Sequence, residues 1–117
     1  MKTLDLKLIT DNNTTIDKKR VPYKVENNVY TFIIDKLTHR LDITNKTFLR
    51  ENDDYSFFLD IKNKKSELFL KKENYMLQVK VEYAILLTNQ KGFEIDYLIE
   101  TQDEVNKLYL NLEGELW

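Results

Sequence analysis

From Tyr75 onward apolar side chains fall on every second position: Tyr75, Leu77, Val79, Val81, Tyr83, Ile85 and Leu87 share one parity, and Gln78, Lys80, Glu82 and Thr88 take the other. Successive side chains of a strand point to opposite faces, so this run has one face to bury and one to leave in water. The alternation predicts that its odd-numbered residues are the buried set. Asn89-Gln90-Lys91-Gly92 is turn chemistry, and behind it Phe93, Ile95, Tyr97 and Ile99 alternate with Glu94, Asp96 and Glu100. Setting Thr88 opposite Gly92 gives a three-residue hairpin loop that ends in glycine, and it brings Ile85 to Ile95 and Tyr83 to Tyr97.

The same reading extends in both directions. Beyond Gln102-Asp103-Glu104-Val105, placing Thr101 opposite Asn106 pairs Glu100 with Lys107, Ile99 with Leu108 and Tyr97 with Leu110. Upstream, Tyr55, Phe57, Leu59 and Ile61 alternate with Ser56, Phe58, Asp60 and Lys62, and Asn63-Lys64-Lys65-Ser66 turns the chain into Leu68 and Leu70. Opposite charges favour Lys62 against Glu67, which sets Ile61 on Leu68 and Leu59 on Leu70; a slip of two residues would oppose Asp60 and Glu67. Leu41 and Ile43, then Asn45-Lys46, then Phe48 and Arg50 predict a tight hairpin with Thr44 opposite Thr47. In the N-terminal third, Leu4, Leu6 and Leu8 predict one strand and Tyr30, Phe32 and Ile34 another. Between them Val21, Tyr23 and Val25 predict a strand in which Pro22 marks an edge or a bulge.

Composition agrees with an all-β chain. Alanine occurs once, at Ala84, whereas Val, Ile, Thr, Phe, Tyr and Trp supply 39 of 117 residues. The expectation is one domain over residues 1–117, an antiparallel meander of about eight to nine strands closed into a β-barrel. Closure covers every apolar face and leaves no long edge, and the short turns argue against the long crossings of a Greek-key sandwich.

The C-terminal two thirds carry a resemblance. Arg40, then Phe48-Leu49-Arg50, Tyr55-Ser56-Phe57-Phe58-Leu59-Asp60-Ile61, a lysine-rich turn, Leu68-Phe69-Leu70, the long alternating strand and Phe93-Glu94-Ile95-Asp96-Tyr97-Leu98-Ile99 follow one another over roughly residues 40–112. This succession resembles the YwiB-like family of uncharacterised bacterial proteins, a domain of unknown function with a calycin, lipocalin-like barrel. The resemblance implies a fold and transfers no catalytic residue. The chain departs from the pattern in having few turn glycines, only Gly92 and Gly114.

The chemistry narrows by exclusion. With no Cys there is no thiol nucleophile, disulfide or thiolate metal site. Two serines, Ser56 and Ser66, and a single imidazole, His39, sit in no nucleophile motif. One His with carboxylates is a poor zinc set, and Asn52-Asp53-Asp54 lacks the graded spacing of a calcium loop, so it reads as a turn. No catalytic residue, metal or cofactor is assigned. A net charge of −2 disfavours nucleic acid; Lys62, Lys64, Lys65, Lys71 and Lys72 beside Phe58 and Phe69 read as a lysine-protected edge rather than a stacking surface for single strands. The N-terminus alternates charge with leucine and no stretch is long enough to span a membrane, so the expected location is the cytoplasm.

Two functions remain. In one, the barrel holds a small apolar or amphiphilic ligand; in the other it is filled and meets a protein partner through its outer surface. For a ligand, the expected polar anchor is Arg50, the one cation on the inward parity of the well-defined strands, with His39 and Tyr55 beside it. Phe57, Leu59, Tyr83 and Tyr97 are expected to line the apolar part.

Overall fold

The turns explain how so few glycines suffice. In the computed structural model, which describes residues 2–99 and 104–112, left-handed backbone falls on Asn, Asp and Lys instead. Asp11-Asn12, Asn27-Asn28 and Asp35-Lys36 each have two consecutive positive φ angles, as the tightest hairpins require, and short polar side chains tolerate that conformation best. They join β1 (Thr3–Thr10) to β2 (Asn13–Glu26), β2 to β3 (Val29–Ile34), and β3 to β4 (Leu37–Asp42). Four-residue connections follow to β5 (Thr47–Glu51), and from β6 (Tyr55–Asp60) to β7 (Lys65–Leu70) and on to β8 (Tyr75–Thr88); they end in left-handed Lys46, Lys64 and Asn74. β9 (Gly92–Ile99) and β10 (Glu104–Asn111) are the last two strands of the described residues.

Among the described residues every strand pairs antiparallel with its sequence neighbours, and β1 pairs with β10, so the ten strands form a closed barrel. The all-β meander expected from the alternation is therefore the fold, with ten strands. The hairpin expected between Leu41 and Arg50 is present as β4 and β5, and β2 begins upstream, at Asn13. Pro22 lies beside the predicted irregularity: the β1–β2 register shifts between Leu4 and Leu6, where left-handed Arg20 donates its backbone N–H to Asp5 Oδ1 at 2.9 Å. The core runs along the axis through Leu4, Leu6, Phe32, Leu41, Phe48, Leu59, Ile95 and Leu110.

Four registers differ from expectation. In β8 the pairing slips between Val81 and Tyr83, so Glu82 is an extra residue and the inward parity changes: Ala84 faces Tyr97 and Leu86 faces Ile95. Tyr83, Ile85 and Leu87 thus leave the inner face, and Ile85 and Leu87 are 48% and 46% exposed. The small Ala84 gives the Tyr97 ring room where a tyrosine was expected. At its start β8 is exposed as well, at Tyr75 and Leu77.

The β9–β10 ladder is displaced by four residues, with Tyr97 on Asn106, Ile95 on Leu108 and Asp96 on Lys107. Inward parity and opposite-charge pairing both survive the displacement. Of the residues in the expected Glu100–Lys107 and Thr101–Asn106 pairs, Glu100 and Thr101 lie outside the described residues, as does Gly114. β6–β7 pairs Asp60 with Lys65, Leu59 with Ser66 and Phe57 with Leu68. β4–β5 pairs Asp42 with Thr47.

The last two share a cause that hydrophobic parity does not report. Asp42 accepts hydrogen bonds from the Asn45 backbone and side chain at 3.0 and 2.8 Å, and Asp60 accepts the same pair from Asn63 at 3.1 and 2.8 Å. Asp-Ile-x-Asn-Lys occurs at residues 42–46 and again at 60–64, so each carboxylate closes a four-residue turn and sets the register.

Gly92 is fixed by approach. A Cβ built there would overlap the carbonyl oxygen of Leu110 on the neighbouring strand β10, whose Asn111 pairs with Gly92.

Candidate ligand-binding site at the open end

The two ends of the barrel are packed differently. At the end carrying the β4–β5 and β6–β7 turns the interior is solid: Tyr23 and Tyr30 rings lie 5.7 Å apart, Tyr30 meets Phe93 edge-on at 5.0 Å, and Ile61 tucks in from its turn. Toward the other end the strands change partners. β2 pairs with β1 alone from Asn13 to Lys18 and meets β3 only from Tyr23; on the far side, Tyr75–Lys80 of β8 pairs with β7 and Val81–Thr88 with β9. The walls splay there.

Two cavities occupy this end. One, of about 440 Å³, lies between β2 and the β3–β4 hairpin, with Ile16 and Lys18 on one lip and Ile34 and Asp35 on the other. The lips touch through Lys18 Nζ and Asp35 Oδ2 at 3.6 Å, an exposed pair that adds little stability. The second, of about 480 Å³, is walled by Tyr55, Phe57, Leu68, Val79 and Ile99. Both volumes fall within the range of small-molecule sites. Leu8, Arg50 and Tyr97 border both cavities, so Arg50 stands at their junction.

Arg50 reaches this position because it follows Phe48 by two residues on β5, between His39 of β4 and Phe57 of β6. Its Cζ lies 5.3 Å from the centre of the Phe57 ring, a favourable seat for a cation. Among the described residues no carboxylate comes within 4.0 Å of the guanidinium, and its Nε is buried with no hydrogen-bond partner. A buried donor left without an acceptor costs about 1–3 kcal/mol, so the site holds an unmet demand for one.

The neighbours are neutral. His39 is 5% exposed; burial first, and the Arg50 charge second, push its pKa down from 6.5 to about 4. Its ring stacks on Phe32 at 4.9 Å and 5°, and Nδ1 lies 3.1 Å from the Leu37 carbonyl oxygen. Burial raises the Tyr97 pKa, against the pull of Arg50, so the phenol keeps its proton. Asn106, buried on β10, accepts a hydrogen bond from Thr10 Oγ1 at 3.0 Å and borders the second cavity.

Of the residues expected to form a site, the structure brings together His39, Arg50, Tyr55, Phe57 and Tyr97. Leu59 is fully buried in the solid half, below the cavities. Tyr83 is not brought in: the β8 irregularity pairs it with Leu98 on the outer face. Sequence reading missed Leu8, Ile16, Val79 and Asn106 as lining residues. Leu8 and Val79 were accessible from parity alone, whereas Ile16 needs the long β2 and Asn106 the displaced β9–β10 register.

Other candidate features resolve locally. Asn52-Asp53-Asp54 is a turn in which Asn52 Oδ1 accepts the backbone N–H groups of Asp54 and Tyr55 at 2.8 and 3.0 Å. In the lysine-rich hairpin, Phe58 lies across from Glu67, and Lys71 and Lys72 pair with Glu51 and Asp54. No helix of the described residues is long and apolar enough to cross a membrane. Comparison of the chain with protein-family models, with curated proteins and with solved structures returns no match.

Proposed function

We propose that the protein is a non-catalytic binding barrel that holds a small amphiphilic anion at its open end, the anionic head on Arg50 and the apolar part between Tyr55, Phe57, Leu68 and Val79. The observation that carries this reading is the buried, partnerless Nε of Arg50 where two cavities meet. A guanidinium in a half-buried apolar site is stabilised by a counter-charge, and a bound carboxylate supplies one in the fork geometry that Arg prefers. The likeness of residues 40–112 to the YwiB-like pattern, and with it a calycin-type barrel in a cytoplasmic bacterial protein, belongs to the same proposal.

The alternative is a protein-interaction module. It draws on the solid half of the barrel and on Ile85 and Leu87, which the β8 irregularity turns outward side by side with Leu98. Native mass spectrometry separates the two. Incubated with alkyl carboxylates of 8 to about 16 carbons, the protein is expected to retain one ligand per chain; a spectrum with no bound species across the series favours the interaction module.

A further inference from the structure

The polar atoms around Arg50 differ in kind. A carbonyl oxygen only accepts, so the 3.1 Å contact to Leu37 requires the proton of the His39 ring to sit on Nδ1. With the ring neutral, Nε2 is then a bare acceptor. The parallel stack on Phe32 and the Phe48 ring 6.0 Å away hold the imidazole in this orientation, and Nε2 forms no hydrogen bond with any described residue. His39 and Arg50 are directly opposed across β4 and β5, a placement that separates Cβ atoms by roughly 5 Å, and both border the first cavity. Donors on Arg50 and an acceptor on His39 therefore face the space that one small head group would fill.

A plain carboxylate satisfies only half of this. Its oxygens accept from Arg50, but next to Nε2 they set lone pair against lone pair. A hydroxyl on a carbon close to the carboxylate removes the conflict, since it donates to Nε2 while the carboxylate stays on the guanidinium.

We propose that the site selects a hydroxyalkanoate: an apolar chain whose carboxylate pairs with Arg50 and whose hydroxyl, two or three carbons along, donates to Nε2 of His39. This specificity rests on the amphiphile-binding reading above. Tyr97, which borders both cavities and whose hydroxyl oxygen accepts from Arg50, keeps its own proton to donate to the second carboxylate oxygen.

Calorimetric titration of the native protein with dodecanoate, 2-hydroxydodecanoate and 3-hydroxydodecanoate tests the inference and the reading beneath it separately. One hydroxy acid is expected to bind roughly tenfold more tightly than dodecanoate, the scale of one buried hydrogen bond made rather than left unmet. His39→Phe, which keeps the stack but removes the acceptor, should bind all three alike, and His39→Gln, with a carbonyl acceptor, should recover part of the preference. Equal affinity of the native protein for all three acids overturns the hydroxyl selection and leaves amphiphile binding standing. A preference that persists in His39→Phe overturns the role of His39, and no binding of any acid overturns both. Nitrogen-15 spectra of the native imidazole give a readout that needs no variant: the unprotonated Nε2 resonance should shift with the hydroxy acid and stay in place with dodecanoate, and the reverse contradicts the assignment.

Discussion

His39 and Arg50 face each other across β4 and β5 with both side chains on the inner side of the barrel, a neutral imidazole beside a guanidinium. The arrangement holds because desolvation and the adjacent cation act in the same direction on the ring. Protonating His39 would place two cations side by side in an apolar wall, so the fold keeps one charge there.

The first prediction follows from that pair. His39 has a folded pKa of about 4 against 6.5 when unfolded, so in the interval between them the unfolded chain binds more protons. The stability from the neutral ring is complete above about pH 6.5 and is lost as pH falls toward 4, in total about 3 kcal/mol. Urea denaturation at pH 7.5 and 4.5 should show this loss in the native protein and a much smaller one in His39→Phe. Equal pH slopes in the two proteins would contradict the buried neutral ring.

The irregularity in β8 makes a second, opposed pair of predictions. Ile85 lies outside the barrel and Ala84 inside, facing Tyr97. Ile85→Lys should leave stability within about 0.5 kcal/mol, and Ala84→Lys, which drives a cation into the core, should prevent folding or cost about 4 kcal/mol or more. Unbroken alternation through β8 predicts the reverse order, so thermal melts of the two variants decide the register.

Gly92→Ala is expected to cost more than about 1 kcal/mol, because the added methyl meets the Leu110 carbonyl oxygen and the β9–β10 pair must part to admit it. Hydrogen exchange should show the loosening in Phe93 and Leu110 first. A variant as stable as the native protein, with unchanged protection there, would place β10 farther from β9 than it is here.

Parity made the barrel legible, and with it the inward direction of Arg50, because Leu41, Phe48 and Phe57 leave no other face to bury. It placed His39 beside Arg50 but not directly opposite it, since the expected Thr44–Thr47 turn sets Leu41 there. The true partner is chosen by the Asp42–Asn45 hydrogen bonds, which open the turn to four residues. Those bonds are side chain to backbone and carry no hydrophobic signal. Tyr83 was misplaced for a related reason, since one extra residue at Glu82 reverses every later side chain while the sequence goes on alternating. The cavities were not legible at all: the inward residues are large, and the space arises where β2 and β8 exchange partners and the walls part.

The most direct measurement is calorimetric titration of dodecanoate into the native protein and Arg50→Gln, with dodecanol as the uncharged control. Binding of the carboxylate should weaken roughly ten- to a hundredfold in Arg50→Gln, the scale of a charge-assisted hydrogen bond, while dodecanol binds both proteins alike and the melting temperature stays nearly constant. Carboxylate binding that is absent from the native protein, or equal in the two, contradicts the account.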